Sequence, residues 1–395
     1  MVNTSQYKQE MEQELDSILA YWMQYTVDHE RGGFLGKVNN DNVPDPSAEK
    51  GLVLNARILW AFSAAYNLTG TPDYLTIADR AYAYITTYFL DPEFGGVYWS
   101  LDPDGKVANG RKQIYGRAFC LYAFSEYYQA TEIHEVLEHA VRLFNLIEQK
   151  GFDPERLGYF EAFNRDWSPM EDLRLSAKDA NHPKAMNTQL HVIEAYTNLY
   201  RVLPEPLVKE RIEDLLEVFD RYIIDKSGGH VGLFFDENWQ PRSPLVSYGY
   251  DIEVAWLLQA AAEATGGENW VEKAKQWAIS IADAAGEGLD DDDGLWYEYD
   301  PEADHIVKEK HSWPQAEAMV GFLNAWQVSG RDKYLKASYA SWEFIRQYIR
   351  DNQNGEWFRG VDENNAPMAG QDKAGFWKCP YHNTRACIEI IRRLT

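Results

Sequence analysis

The sequence predicts an all-α fold, an (α/α)6 barrel formed by residues 1–395 as a single domain, and three observations point to it. No Pro/Gly/Ser-rich linker or shift of composition divides the 395 residues, which favours one repetitive architecture over two separate cores. Six short segments share one character, a glycine turn, alternating aromatics and a second polar turn: "RGGFLGKVNNDN" at 31, "FGGVYWSLDPDG" at 94, "LGYFEAFNRDW" at 157, "GGHVGLFFDENW" at 228, "DGLWYEYDPEAD" at 293 and "NGEWFRGVDENN" at 354. Helical patterns of two alternating kinds lie between them.

Each element follows from its own pattern. Alternation flanked by turn residues predicts short β-hairpins, recurring every roughly 60–70 residues. Before each hairpin the pattern is amphipathic. In the first helix Met11, Leu15, Ile18, Leu19, Trp22 and Met23 share one face at the 3.6-residue period. After each hairpin the helix is apolar nearly all round: "GLVLNARILWAFSAAYNL", "YGRAFCLYAFSEYY", "MNTQLHVIEAYTNLY", "DIEVAWLLQAAAEA", "WPQAEAMVGFLNAW" and "YHNTRACIEIIRRL". A helix with no wet face is a buried one, so half-wet and dry helices in alternation predict two concentric rings closed by the last helix.

Composition narrows the ligand. Asp and Glu number 62 against 38 Lys and Arg, a formal charge of −24, which argues against nucleic acid and anionic membrane surfaces. No run approaches the roughly 20 apolar residues that span a bilayer, and "MVNTSQYKQEMEQEL" has neither a basic start nor an apolar core; a cytoplasmic protein is expected. Cys120, Cys379 and Cys387 are an odd number without CxxC spacing and read as reduced core thiols, with no disulfide framework and no zinc site expected. "EGLDDDDG" at 287 lacks the spaced ligands of an EF-hand and reads as a solvated loop.

The dry helices carry their unusual polar residues at or near their amino ends: Asn55 and Arg57; Tyr115 and Arg117; Asn187 and His191; Tyr250, Asp251 and Glu253; Trp313 and Glu317; Tyr381, His382 and Arg385. If all six inner helices run the same way, these converge on one mouth of the barrel, where the helix dipoles favour developing negative charge. A lone histidine is more often a satisfied structural residue than a catalyst. Here two imidazoles, an arginine and two carboxylates share a rim, a set that points to chemistry. His29, His134, His139, His182, His230, His305 and His311 fall in loops, hairpins or outer helices and read as structural. Aromatic residues near the rim, Trp313, Trp377 and Tyr381, suit the C–H faces of a sugar. A neutral carbohydrate is the expected small-molecule partner.

"LNARILWAFSAAY", "MNTQLHVIEAYTNLY", "YGYDIEVAWLL", "HSWPQAEAMVGFLNAW" and "FWKCPYHNTRACIEI" resemble, in order along nearly the whole chain, the N-acylglucosamine 2-epimerase superfamily, most closely its cellobiose (mannobiose) 2-epimerase branch. The resemblance implies an (α/α)6 barrel and a cofactor-free interconversion of aldoses at C2 of a reducing-end sugar. A monomer or weak homodimer is expected, although no motif specifies the oligomeric state. It also implies roles. His382 in "CPYHN" resembles an acid/base, and His191 in "NTQLH" a rim histidine that contacts the sugar or helps ring opening. Arg57 would hold O1 and O2, and Glu253 would orient a neighbour or assist ring opening. Trp313 and Trp377 would stack on the sugar, with Tyr115, Asn187 and Glu317 as pocket contacts. In one place the pattern departs: the family usually reads "YGHDIE", with a second acid/base histidine where this chain has Tyr250. A free tyrosine titrates near 10, so at neutral pH it donates but is a poor base. Three readings stay open: Tyr250 as donor opposite His382; one working base, which favours aldose–ketose isomerisation; or impaired chemistry, either because Tyr250 is an engineered substitution or because the protein only binds sugar. A glycoside hydrolase using Asp251 and Glu317 is a further alternative.

Overall fold

The structure is a computed structural model that describes residues 2–395. Six outer helices alternate with six inner ones. The outer helices are α1 (Thr4–Tyr25), α3 (Pro72–Tyr84), α5 (His134–Lys150), α7 (Pro206–Val218), α9 (Glu268–Ala285) and α11 (Asp332–Phe344). The inner helices are α2 (Leu52–Thr69), α4 (Ile114–Thr131), α6 (Met186–Val202), α8 (Tyr248–Thr265), α10 (Ser312–Ser329) and α12 (His382–Arg393). The inner ring closes in the order α2, α4, α6, α8, α10, α12 and back to α2, with α1 covering α12. This is the (α/α)6 barrel.

The apolar patterns account for the rings. In α2 every residue from Leu52 to Ala65 is buried, whereas α5 buries only Val136, Ala140, Leu143, Phe144 and Ile147 along one face. Small residues set the spacing of the inner ring. A Cβ on Gly321 of α10 would lie 2.6 Å from the Ile252 carbonyl oxygen of α8, so only glycine permits that approach.

The strands differ in part from the expected local hairpins. They are β1 (Val38–Asn39), β2 (Lys50–Gly51), β3 (Ser100–Leu101), β4 (Val107–Asn109), β5 (Lys112–Gln113), β6 (Ala162–Phe163), β7 (Lys184–Ala185), β8 (Phe234–Phe235), β9 (Glu298–Asp300), β10 (His305–Val307), β11 (Lys310–His311), β12 (Gly360–Val361) and β13 (Asp372–Ala374). Only β3–β4 and β9–β10 are true hairpins. The two residues before an inner helix pair antiparallel with the next repeat instead: β2 with β3, β5 with β6, β7 with β8 and β11 with β12. β1 pairs with β13, which joins the two ends of the chain. Each glycine turn closes on itself by a single bridge, such as Val27 to Phe34 or Phe152 to Tyr159, too little to hold a strand pair without a neighbour. All six inner helices therefore start at the same mouth.

Buried ion pairs fix these junctions. Lys50, Lys112, Lys184 and Lys310 stand two residues before an inner helix and bind Asp28 (2.7 Å), Asp91 (2.7 Å), Asp153 (2.8 Å) and Asp292 (2.6 Å) of the preceding turn. Lys373 binds Asp351 at 2.5 Å in the last repeat. Asp290 and Asp292 of "EGLDDDDG" thus hold Lys310, so that stretch is more than a solvated loop. The fourth repeat has Val246 at the lysine position, and there Asp251 accepts from His230 Nδ1 (2.7 Å) and the Val231 amide (2.8 Å).

Candidate active site

The mouth holds a cavity of about 280 Å³ walled by Arg57, Tyr115, Asn187, His191, Tyr250, Glu253, Trp313, Trp377 and His382, side chains drawn from all six inner helices and, for Trp377, the segment before α12. A second cavity of about 320 Å³ adjoins it and shares Leu175, Lys178, Asp179, Asn187, Tyr250 and Tyr297. Glu317 does not reach the space. It is buried behind His382, accepting from its Nδ1 at 2.6 Å, from Arg385 Nη2 at 2.6 Å and from Trp256 Nε1 at 3.0 Å. Asp251 is also fully buried away from the cavity, held by His230, so neither carboxylate of the hydrolase alternative faces a substrate.

The floor is one hydrogen-bonded cluster. Arg385 Nη2 donates to Oε1 of Glu253 at 2.5 Å and of Glu317, while Nη1 donates to Glu194 Oε1 and to the Tyr381 hydroxyl. Glu194 Oε2 in turn faces His191 Nδ1 at 2.9 Å. Arg57 lies with its guanidinium 4.2 Å from the Phe119 ring centre and 4.6 Å from that of Tyr381, and it donates to the Tyr115 hydroxyl at 2.8 Å. Tyr381 is therefore a buried support rather than a rim aromatic. Trp313 sits 4.9 Å from Tyr250 and 5.6 Å from His382, ring centre to ring centre.

Burial sets the protonation states. Both imidazoles are held below the usual histidine range, first by burial; Arg57 and Arg385 push His382 well down, while Glu194 partly offsets the effect at His191. Glu194 is drawn down to about 2 against its burial, chiefly by Arg385 and then by His191. Burial and the neighbouring Glu317 push Glu253 up to about 8. Glu317 is also raised by burial, but it accepts three donors whereas Glu253 accepts one and leaves Oε2 unpartnered. Of this pair Glu317 keeps the charge and Glu253 the proton. Burial raises the Tyr250 phenol well above 10.

Glu253, Glu317 and His382 place one ligand-type atom each within 4.8 Å of one another. Arg385 Nη2 already sits on Oε1 of both carboxylates, so the positive charge a cation would bring is supplied by the guanidinium.

Several cavity residues escaped the sequence reading. His311, expected to be structural, is in the wall, stacked 4.0 Å from Tyr297 and bonded to Glu309 at 2.8 Å through Nε2. Its place one residue before α10 was the available signal. Cys379, read as a core thiol, also lines the space, 3.5 Å from Arg57 Nη1. Leu175, Lys178 and Asp179 come from the long loop before β7, whose path no periodicity specifies.

Two neutral imidazoles, a fixed guanidinium and a protonated carboxyl around an aromatic-walled space define a proton-transfer site for a neutral polyhydroxy substrate. A profile of the N-acylglucosamine 2-epimerase (GlcNAc 2-epimerase) family matches residues 32–386. The chain is 46% identical to a cellobiose 2-epimerase of Bacteroides fragilis over 97% of its own length and 98% of that protein. The structure of a cellobiose 2-epimerase from Bacillus thermoamylovorans superposes with a TM-score of 0.93 at 38% identity, covering 98% of this chain and 100% of that one. A D-mannose isomerase of Marinomonas mediterranea is more distant, 24% identical over 98% of this chain and 97% of that protein, and does not favour the isomerase alternative. The chain belongs to the N-acylglucosamine 2-epimerase family and is a carbohydrate epimerase, an isomerase.

Proposed function

We propose that the protein inverts C2 of the reducing-end residue of a β-linked disaccharide of the cellobiose type, interconverting glucose-ended and mannose-ended forms without a cofactor. The observation that carries this reading is the pair of carboxylate-held imidazoles, His191 and His382, both opening on one cavity beside Arg57. The adjoining second cavity supports a two-residue sugar, with the reacting ring on the floor and the other ring toward Tyr297 and Glu298. Three buried free thiols agree with a reducing, cytoplasmic setting.

The chemistry follows from the residues. Ring opening requires a proton on the ring oxygen, and Glu253, neutral below about pH 8 with its Oε2 unpartnered, supplies it. In the open aldehyde, loss of the C2 proton to His382 Nε2 gives a cis-enediolate. Arg57 meets the charge developing on O1 and O2. Glu317 orients His382 from behind and stabilises the imidazolium as it forms. Trp313 and Trp377 pack on the ring faces, and Tyr115 and Asn187 offer hydrogen bonds. The test is incubation with cellobiose, mannobiose, glucose and mannose in D2O, followed by NMR. A C2 epimer labelled at C2 is expected; a ketose as main product, or two sugars released from a disaccharide, would overturn the reading.

A further inference from the structure

Epimerisation needs a proton to leave one face of C2 and another to arrive on the opposite face, so two groups must flank that carbon. Tyr250 is poorly equipped to be one of them. Among the described residues nothing hydrogen-bonds its hydroxyl; its ring simply rests against Trp313. No charged group fixes its orientation or draws off its proton.

His191 is equipped in the same way as His382. Each imidazole is tied through Nδ1 to a glutamate, His191 to Glu194 at 2.9 Å and His382 to Glu317 at 2.6 Å. Both glutamates accept from the one guanidinium of Arg385, Glu194 through Nη1 and Glu317 through Nη2. The carboxylates fix Nδ1 as the donor on both rings and leave both Nε2 atoms as acceptors. The helices that carry them, α6 and α12, stand three places apart in the six-helix inner ring, on opposite walls, and both side chains line the same cavity.

We propose that His191 is the second acid/base, exchanging a proton with the face of C2 opposite the face served by His382, and that Arg385 with Glu194 and Glu317 is the positioning frame for both. The proposal rests on the epimerase reading given above. In one direction, neutral Nε2 of one imidazole takes the C2 proton. The C–H electron pair forms the C1–C2 double bond and the carbonyl pair moves to O1. The other imidazole, neutral at rest, first takes a proton from cavity water onto Nε2, its carboxylate partner holding the charge; it gives that proton to C2 from the far side, and the O1 pair re-forms the aldehyde. The two rings end with charge states exchanged, and exchange with water in the cavity restores them.

The experiment is C2 hydrogen–deuterium exchange in D2O with each purified epimer separately, comparing wild type, His191→Asn, His382→Asn, Glu194→Gln and Tyr250→Phe. The wild type should give deuterated epimer from both substrates. His191→Asn should lower epimer formation by about 10²- to 10⁴-fold. It should still wash deuterium, with retention, into the one epimer whose C2 proton faces His382. His382→Asn should show the mirror pattern, exchange in the other epimer only. Glu194→Gln should weaken the His191 face selectively. Tyr250→Phe should slow the reaction by less than about tenfold and leave the labelling pattern intact. The retained single-face exchange reports that each variant is folded. The proposal is overturned if His191→Asn still epimerises within about tenfold of wild type, or if it loses exchange in both epimers while circular dichroism is native, the result expected of a ring-opening or binding role. It is equally overturned if Tyr250→Phe abolishes inversion but keeps single-face exchange. A wild type that exchanges and epimerises none of the sugars removes the epimerase reading itself, and this one with it.

Discussion

Glu317→Gln probes the frame without touching the substrate space, because Glu317 reaches only His382, Arg385 and Trp256. Both of its oxygens face donors: Oε1 meets His382 Nδ1 and Arg385 Nη2 at 2.6 Å, and Oε2 meets Trp256 Nε1 at 3.0 Å. An amide must turn its NH2 toward one side, and the guanidinium, the strongest donor, keeps the oxygen. The NH2 therefore opposes the indole N–H. Two losses follow. The charge opposite the imidazolium that forms in the transition state disappears, and a hydrogen bond to a charged group is worth about 1.5–3 kcal/mol, which is about 10- to 150-fold in rate. The buried indole N–H loses its acceptor, a stability cost of about 1–3 kcal/mol. If the amide turned the other way, the wrong imidazole tautomer would raise the loss toward about 10⁴-fold, as in a Ser-His-Asp triad. The expected result is a kcat lower by about 10²-fold with KM within about threefold of wild type. His382, already held well below its ordinary range, would fall further, so the acid limb of the pH–rate profile would move down while the plateau drops. Initial rates of epimer formation from pH 5 to 9 measure both. A kcat within about threefold of wild type, or a loss carried by KM, would refute the assignment of Glu317 as the group behind His382.

Three further outcomes are expected. The wild-type rate should decline as pH rises through about 8, where Glu253 gives up its proton, and Glu253→Gln should be slower by about 10²-fold or more and lack that alkaline limb in the same pH–rate measurement. Glu161, fully buried and also pushed up to about 8, accepts only the Ala185 amide and the Thr188 hydroxyl. Its folded form holds a proton that the unfolded chain releases near 4.3, so its contribution to stability is complete below that pH and is lost as pH rises to about 8. Glu161→Gln should therefore gain on wild type by up to about 1.4 kcal/mol per pH unit across that window in urea denaturation, and then level off. Lys184→Met should cost about 3 kcal/mol in the same assay, since Asp153 keeps the Glu155 and Arg156 amides but loses its buried counter-ion.

The ring was legible because the dry helices are apolar all round, a property each segment carries locally. Strand pairing was not. Two residues such as Lys184 and Ala185 have no pattern of their own, and their partners at Phe235 and Phe234 lie fifty residues on, chosen by the ring rather than by the turn. The lysine two places before an inner helix and the aspartate in the preceding turn were visible as letters, but their pairing depends on that same closure. The cavity wall was readable at inner-helix starts, where Arg57, His191, Glu253 and His382 converge, and unreadable in the loop carrying Lys178 and Asp179.

The least legible part is also the most consequential. Glu194 follows His191 by three residues and Arg385 follows His382 by three, a spacing that puts each on the face of its imidazole one turn deeper. Read singly, Glu194 is a carboxylate in a buried helix and Arg385 a cation in another, each costly to bury alone. Only the barrel brings α6 and α12 face to face across the floor, where the guanidinium meets Glu194 on one side and Glu253 and Glu317 on the other. That meeting satisfies the buried charges and gives both imidazoles the same tautomer. A cluster built to orient a single base around His382 would not need Glu194. Its presence opposite, bonded to the second ring, is the observation behind the proposal that His191 rather than Tyr250 carries the second proton.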